Sequence, residues 1–233
     1  MMSAVDGPIT SAPAGEGGQS IDIRTIFLGR MIGNCYIIRA STGFVLVDTG
    51  RASKLARLEK ELDAVGCKPG NLNLILLTHG DFDHTGNAAH LREKYGARIA
   101  MHQEDSAMVE RGDMFCNRER GGFLLRGMVN LFFRIRKFKP DLTLGEGADL
   151  SEYGLDARVL HLPGHSKGSI GILTAGGDLF CGDLLSNTDR PELNPIMDDV
   201  AEANVSVSKL EGKGIGTVYP GHGKPFPMSS LTR

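Results

Sequence analysis

One short stretch of the chain combines four residues of types that bind metal ions. Residues 78–87 read THGDFDHTGN and contain His79, Asp81, Asp83 and His84. The stretch directly follows the apolar run 74–77, which is typical of a strand buried on both faces. Imidazole and carboxylate groups together suit first-row divalent metals. The stretch therefore predicts a metal site at the end of a strand.

Four further polar clusters share this context, because each follows an apolar run that is predicted to be a strand. Asp48 follows FVLV, His165 follows VLHLPG, Asp183 follows DLFCG and His222 follows TVYPG. Glycine-rich turns at strand ends place side chains at one rim of a sheet on a rigid support. A single histidine in such a turn is more often structural, but five clusters in the same context indicate one shared site.

The elements that must position these clusters alternate between strand and helix patterns. We predict helices at 51–66, 84–95 and about 200–210 from their apolar spacing. We predict strands at 21–26, 35–38, 44–47, 74–77, 97–101, 157–161, 169–174, 178–181 and 217–219. Strands are followed by helices in two similar halves. Two packed sheets with helices outside satisfy this order.

The bulk properties fit an ordinary globular chain. It has 233 residues, a net charge of −2 and a pI near 6.4, so nothing indicates nucleic-acid binding. No apolar run is long enough to span a membrane. Residues 1–20 lack a basic and an apolar segment, so we predict a mobile tail, no secretory signal and a cytoplasmic protein. Residues 21–233 are predicted to form a single domain, and the four cysteines to be reduced.

Taken together, the motifs resemble those of the metallo-β-lactamase superfamily. H-x-x-x-D-H after a strand is followed in order by P-G-H, G-D and P-G-H-G, from about residue 22 to 226. The resemblance implies an α+β fold, a four-layer αββα sandwich of two mixed β-sheets flanked by helices. It also implies a site for two divalent metal ions (zinc, iron or manganese) at the rim between the sheets.

The resemblance also implies a role for each matched residue. His79 and His165 would bind the first metal, and Asp83, His84 and His222 the second. Asp183 would bridge the two metals, and Asp48 would orient ligand histidines from behind. Asp83 would in addition act in catalysis by orienting the attacking hydroxide.

Asp81 departs from the family pattern. The usual motif is H-x-H-x-D-H, whereas this chain reads H-x-D-x-D-H. We predict that Asp81 is a metal ligand, which would make the site more anionic and favour iron or manganese over zinc. Flavodiiron proteins of the superfamily carry Glu at this position. The alternatives are that Asp81 faces water, or that His102 or His161 supplies the missing ligand. Otherwise His161 is predicted to support the site from behind.

The implied reaction is hydrolysis by a metal-bridging hydroxide. The substrate is expected to be a small molecule carrying an ester, lactone, thioester or phosphodiester. A true β-lactamase is disfavoured by the lack of an export signal, and a glyoxalase II by Asp81 and by the lack of a recognisable C-terminal glutathione-binding domain. Two other classes stay open: a diiron protein that reacts with oxygen or nitric oxide, and a metal-binding domain without catalysis.

Residues 103–150 form an insertion that is both apolar and basic, including GGFLLRGMVNLFFRIRKFKP. One interpretation is a lid that contacts an apolar or anionic substrate, with Phe132 and Arg134 as candidate contacts. The other is a packed helix or part of a homodimer interface. Lys167, just after the His165 turn, is a further candidate for holding an anionic substrate group.

Overall fold

The structure is a computed structural model that describes residues 21–29, 32–118, 127–128, 130 and 135–231. The predictions of a mobile tail at 1–20 and of substrate contacts by Phe132 and Arg134 lie outside the described residues.

The first sheet has six strands in the order of the sequence. The first three pair antiparallel, and β3 to β6 pair parallel. The strands are β1 (Ile23–Ile26), β2 (Cys35–Ala40), β3 (Gly43–Val47), β4 (Leu72–Leu76), β5 (Arg98–Met101) and β6 (Leu142–Thr143).

The second sheet runs in the order β12-β11-β9-β8-β7, and a short β10 also pairs with β9. Only β9 and β11 pair parallel among its described strands. The strands are β7 (Ala157–His161), β8 (Ile170–Thr174), β9 (Asp178–Asn187), β10 (Glu192–Leu193), β11 (Thr217–Gly223) and β12 (Phe226–Pro227).

The helices lie outside the two sheets. The α-helices are α1 (Leu55–Ala64), α2 (Phe82–Thr85), α3 (Ala88–Tyr95), α4 (Gln103–Arg111) and α5 (Val200–Ser208). Single 3₁₀ turns occur at Ala52–Lys54, Ser151–Tyr153 and Met228–Ser230. No helix among the described residues is long and apolar enough to cross a membrane.

Three apolar clusters hold the layers together. The first sheet turns Val45 and Leu74 toward Val159 and Phe180 of the second sheet, which forms the core between the sheets. The opposite face of the first sheet packs on α1, α3 and α4. The outer face of the second sheet packs on α5 through Ala203. The alternation of side chains along buried strands thus covers both faces of each sheet, and the predicted αββα sandwich is confirmed.

Two predicted strand ends are wrong in an informative way. Asp183 and His222 were expected in turns after their strands, but β9 continues to Asn187 and β11 to Gly223. These strands pair parallel beyond the apolar runs, with register shifts at Pro220. Such irregularities aim side chains away from the regular alternation, so the motif residues lie within the sheet.

The helix predicted at 84–95 is divided. It forms α2 and α3, separated near Gly86. The Gly86 amide donates to the Gly50 carbonyl at 3.0 Å. A side chain at Gly86 would also meet the backbone of residues 50–52. The close approach of the Asp48 turn therefore interrupts the helix, which periodicity alone does not reveal.

The described part of the insertion at 103–150 contributes a few buried residues to the core. Helix α4 buries Met108 and Val109 against the first sheet, and β6 pairs with β5. Cys35, Cys67, Cys116 and Cys181 are free, and Cys116 alone among them is partly exposed.

Candidate metal centre

Seven of the sequence-predicted residues converge at the rim between the two sheets. Their donor atoms form three overlapping groups in which all atoms lie within 4.8 Å of one another. The first sheet contributes the residues that follow β4, and the second sheet contributes a turn after β7 and the strands β9 and β11. The residues are His79, Asp81, Asp83, His84, His165, Asp183 and His222.

The first half-site consists of His79, Asp81 and His165. Asp81 Oδ2 lies 3.1 Å from His165 Nε2 and 3.7 Å from His79 Nε2. All three residues are buried. The third candidate donor of this half-site is the Asp81 carboxylate, and its role as a metal ligand stays a prediction. His102 and His161 do not belong to any of the three described groups.

The second half-site consists of Asp83, His84 and His222. Asp83 Oδ2 lies 3.3 Å from His222 Nε2 and 3.7 Å from His84 Nε2. Asp183 stands between the half-sites, because its oxygens lie 3.3 Å from His222 Nε2, 3.4 Å from His84 Nε2 and 3.9 Å from His165 Nε2. This is the arrangement that a shared carboxylate requires.

Several donor atoms at the centre have no hydrogen-bond partner. His79 Nε2, His84 Nε2 and Asp183 Oδ1 are buried without a partner among the described residues. Buried polar atoms are almost always satisfied, so such a cluster needs an explanation. Imidazole nitrogens and a carboxylate oxygen that point at one space are the donors of a divalent metal site. The residues therefore fit divalent metal ions.

Proton affinities differ sharply across the centre. Burial and the neighbouring His84 and His165 hold the pKa of His79 well below its usual value. Burial also disfavours protonated His84 and His222, but Asp183 and Asp83, joined by Asp48 at His84, together outweigh it and raise their pKa values to about 10 and about 11. The carboxylates thus attract cations strongly to the space around His84 and His222.

Asp48 holds the histidines from behind. Its Oδ2 lies 2.8 Å from His84 Nδ1, and both its oxygens accept hydrogen bonds from Thr78. The Thr78 hydroxyl lies 3.0 Å from His79 Nδ1. Each of these bonds leaves the Nε2 atom of the histidine free to bind metal. The backbone of Asp48 has φ of 57°, a strained conformation for a residue with a side chain.

Asp105 holds the first half-site, and the sequence analysis did not identify it. The carboxylate is fully buried and accepts hydrogen bonds from the Gly80 and Gly168 amides, both at 2.9 Å. It also accepts from the Ser166 hydroxyl and the Asn117 amide. It therefore ties the turn of His79 to the turn of His165. The hydrophobic spacing of α4 gives no sign of this role.

Two glycines leave room around His84, and they also escaped the sequence analysis. A side chain at Gly33 would lie 2.7 Å from the His84 ring, and one at Gly221 would lie 2.0 Å from Asp183 Oδ1. The Gly33 amide donates to Asp83 Oδ2 at 3.1 Å. Asn34, which is fully buried and directly precedes β2, donates hydrogen bonds to the Gly223 and Pro220 carbonyls of β11.

Arg118 is a further residue that sequence reasoning missed. Its Nη1 lies 2.7 Å from Asp81 Oδ1, and its Nε lies 2.8 Å from Asp198 Oδ2. Only 6% of its side chain is exposed. Burial opposes the ionised form of Asp81, but Arg118 and His165 outweigh it and hold the pKa of that carboxyl well below its usual range. The sequence pattern does not distinguish this arginine from those on the surface.

Two other predicted residues lie away from the seven donors. His161 stacks on His102 with ring centroids 4.2 Å apart, and its Nε2 lies 2.9 Å from the Lys167 carbonyl. His161 thus contacts the backbone that follows His165. The side chain of Lys167 is exposed. The supporting role of His161 and the substrate-binding role of Lys167 both stay predictions.

Residues 28–222 match the profile of the metallo-beta-lactamase superfamily. The chain belongs to this superfamily. The resemblance predicted from the motifs is confirmed, and membership supports a metal-binding hydrolase.

Two curated relatives in the superfamily have named activities. The bovine acyl-coenzyme A thioesterase MBLAC2 is 27% identical over 86% of this chain and 76% of its own length. The hydroxyacylglutathione hydrolase GloC of Haemophilus influenzae is 33% identical over 58% of each chain. Among solved structures, TTHA1623 in a di-iron-bound form is 27% identical, with a TM-score of 0.69, over 88% of this chain and 95% of its own.

Proposed function

We propose that this superfamily member is a dinuclear metal-dependent hydrolase that cleaves thioesters. The observation that carries the proposal is the convergence of His79 Nε2, His84 Nε2 and Asp183 Oδ1, which are buried without hydrogen-bond partners. His79, Asp81 and His165 would hold one ion, Asp83, His84 and His222 the other, and Asp183 would contact both.

The bound ions would supply Lewis acidity and a water molecule of lowered pKa at neutral pH. The chain's own contribution is to hold the donors rigidly, through Asp48 behind His84 and Asp105 behind the two turns. Asp83 lies at the open side of the centre, since 27% of its side chain is exposed. We assign Asp83 the role of accepting a hydrogen bond from the attacking water and orienting it.

The thioester assignment draws on the two relatives with named activities. Acyl-coenzyme A and hydroxyacylglutathione are both thioesters, although they differ in the thiol that leaves. The sequence argument against glutathione thioesters depended partly on the extra charge of Asp81. Arg118 offsets that charge, so this objection loses its force.

A substrate panel on the metal-loaded protein tests the proposal. The protein is reconstituted separately with Zn²⁺, Mn²⁺ and Fe²⁺, and its metal content is measured. Turnover is then compared for acyl-coenzyme A thioesters, acylglutathione thioesters, a lactone and an aryl phosphodiester. We expect a thioester to have the highest kcat/KM. A higher kcat/KM for the phosphodiester or the lactone would contradict the thioester assignment.

Matched histidine variants test whether the centre carries the activity. His222→Ala removes a partly exposed ligand candidate, and His90→Ala removes a surface histidine that lies 3.1 Å from Glu59. We expect His222→Ala to abolish turnover and to lower the metal content, with the fold intact by circular dichroism. His90→Ala should keep both. Full turnover in folded His222→Ala would show that the activity does not depend on the second half-site.

A di-iron redox protein is the second candidate function. It is favoured by the di-iron form of the similar structure and by the additional carboxylate at Asp81. Visible absorption of the iron-loaded protein, recorded under reduction and reoxidation, separates the two functions. Reversible redox colour together with oxygen or nitric oxide consumption, and without thioester turnover, would replace hydrolysis as the function.

A further inference from the structure

The third position of the first half-site holds a pair of residues rather than one. We propose that Asp81 and Arg118 together replace the usual histidine: Asp81 as a single-oxygen ligand, Arg118 as the clamp and counter-charge for its other oxygen. This inference rests on the metal centre proposed above, but it concerns a residue that lies outside the family motif.

The two oxygens of Asp81 face different partners. Oδ2 faces His165 Nε2 and His79 Nε2, at 3.1 and 3.7 Å, and so points at the metal position. Oδ1 lies 2.7 Å from Arg118 Nη1. A carboxylate held in this way presents one oxygen to an ion. It therefore occupies one coordination position, as an imidazole nitrogen does.

Arg118 lies within ion-pair or hydrogen-bond distance of three groups in this arrangement. Its Nη1 faces Asp81, its Nε lies 2.8 Å from Asp198, and its Nη2 donates to the His165 carbonyl at 3.4 Å. A guanidinium presents its donors in a rigid fork, which suits this fixed geometry. Arg118 is thus a positioning residue that links three segments around the first half-site.

The charges of the pair cancel. Asp81 contributes one negative charge and Arg118 one positive charge, and both are at least nine-tenths buried, so water screens them little. Asp198, the other partner of Arg118, is more exposed and therefore more screened. The first half-site then has the net charge that a neutral histidine would give it. The expectation of a more anionic, harder site is revised accordingly.

Restoring the usual histidine at position 81 should weaken metal binding instead of strengthening it. Asp81→His introduces the usual ligand but removes the more buried of the two carboxylate partners of Arg118, a guanidinium beside the proposed ion. We expect the first Zn²⁺ to bind at least about tenfold more weakly, because charge repulsion replaces attraction. Removing both charges in Asp81→His/Arg118→Gln should restore the affinity to within about threefold of the original chain.

The experiment is a double-mutant cycle on metal binding, independent of turnover. Zn²⁺ affinity is measured by competition with a chelator, and stoichiometry by elemental analysis, for the original chain, Asp81→His, Arg118→Gln and the double variant. Circular dichroism checks the fold. Arg136→Gln, which removes an exposed arginine paired with Glu93, controls for loss of a positive charge and should leave the affinity unchanged. The coupling between the two positions should reach at least about tenfold.

A second comparison separates charge from side-chain size. Asp81→His/Arg118→Lys keeps a positive charge beside the new histidine, so it should remain as defective as Asp81→His. Tighter Zn²⁺ binding by Asp81→His alone would overturn the inference, and this variant decides the matter even if Arg118→Gln does not fold. Additive effects in the cycle would overturn it as well. If the original chain binds no metal, the proposed centre itself fails, which is a distinguishable result.

Discussion

The two halves of the candidate centre are built differently. The first half-site is buried at every residue, and its carboxylate is matched by Arg118. In the second half-site, the side chains of Asp83 and His222 are 27% and 16% exposed, and its described contacts include no arginine or lysine. The first half-site is thus closed, with the charge of Asp81 offset by Arg118, whereas the second is open and its own carboxylate has no such partner among the described residues.

This difference separates two tasks within one centre. A closed half-site with a fixed ligand set favours tight and selective metal binding. An open half-site beside solvent gives a substrate and a water molecule access to the ions. We infer that the first half-site mainly retains its ion and that the second mainly meets the substrate.

Loss of the shared carboxylate of Asp183 should impair both half-sites at once. Asp183→Asn takes away the oxygen that lies within 4 Å of histidines from both half-sites. We expect turnover to fall by roughly a thousandfold, which corresponds to about 4 kcal/mol, and both ions to bind more weakly. Elemental analysis and steady-state kinetics measure these effects. Asp178→Asn, at the other end of β9, is the control; two retained ions in Asp183→Asn would refute the shared role.

The two half-sites should respond differently to pH. A histidine must lose its proton to bind metal. Carboxylates, chiefly Asp183, raise the pKa values of His84 and His222 to about 10 and about 11, so an ion in the second half-site displaces both protons at neutral pH. In the first half-site the pKa of His79 is lowered, chiefly by burial, and only that of His165 is raised.

The sign of this effect follows from the displaced protons. Metal affinity rises with pH in both half-sites. Binding in the second half-site displaces at least one proton more than binding in the first, so its affinity rises more steeply, by about a further tenfold per pH unit. Between pH 6 and 8 the ratio of affinities should change by about a hundredfold. His165→Ala and His222→Ala isolate the two half-sites for chelator competition at each pH. Equal slopes would remove the electrostatic contrast.

The carboxylate behind the second half-site should matter next. Asp48→Asn weakens the bond to His84 Nδ1, and removal of such a supporting partner typically costs about 10- to 100-fold in metal affinity. We expect a loss of about 30-fold in the second half-site. Chelator competition measures it, and Asp22→Asn, an exposed carboxylate paired with Arg39, serves as the control. Unchanged affinity would mean that packing alone orients His84.

The corresponding change behind the first half-site should have the smallest effect on the metal. Asp105→Asn loses a buried charge that accepts four hydrogen bonds. Unfolding free energy should drop by about 2 kcal/mol, and first-site affinity by less than about tenfold, because Asp105 contacts the turns and not the ligand side chains. Denaturant unfolding and chelator competition measure the two effects. If the first-site affinity fell by much more than about tenfold while the unfolding free energy fell by no more than about 2 kcal/mol, Asp105 would have a direct role in metal binding.

Sequence reasoning was strongest where chemistry is written into short motifs. The seven donors were chosen from glycine-rich turns after apolar runs, and the structure brings all seven together. Their convergence follows from the sandwich architecture, which the pattern of elements also indicated. The motif residues within β9 and β11 were misplaced because a ladder between parallel strands extends as far as pairing allows, not as far as apolar residues do.

Sequence reasoning failed where a role depends on contacts between distant segments. Asp105 lies in α4 and Arg118 follows that helix, yet Asp105 holds Gly80, 25 positions away, and Arg118 contacts Asp81, 37 positions away. A buried arginine and a surface arginine are the same letter in the sequence. Only the tertiary structure distinguishes them, and here it changes the expected charge of the half-site.

The division of ligands between the sheets has a consequence for folding. Each half-site combines residues that follow β4 in the first sheet with one histidine from the second sheet. That histidine is His165, in the turn after β7, for the first half-site and His222, in β11, for the second. Neither half-site is complete until the two sheets have docked, so metal binding belongs to a late step of folding. Because a bound ion would fasten one sheet to the other, its release would precede their separation, and a chelator should accelerate unfolding of the whole sandwich.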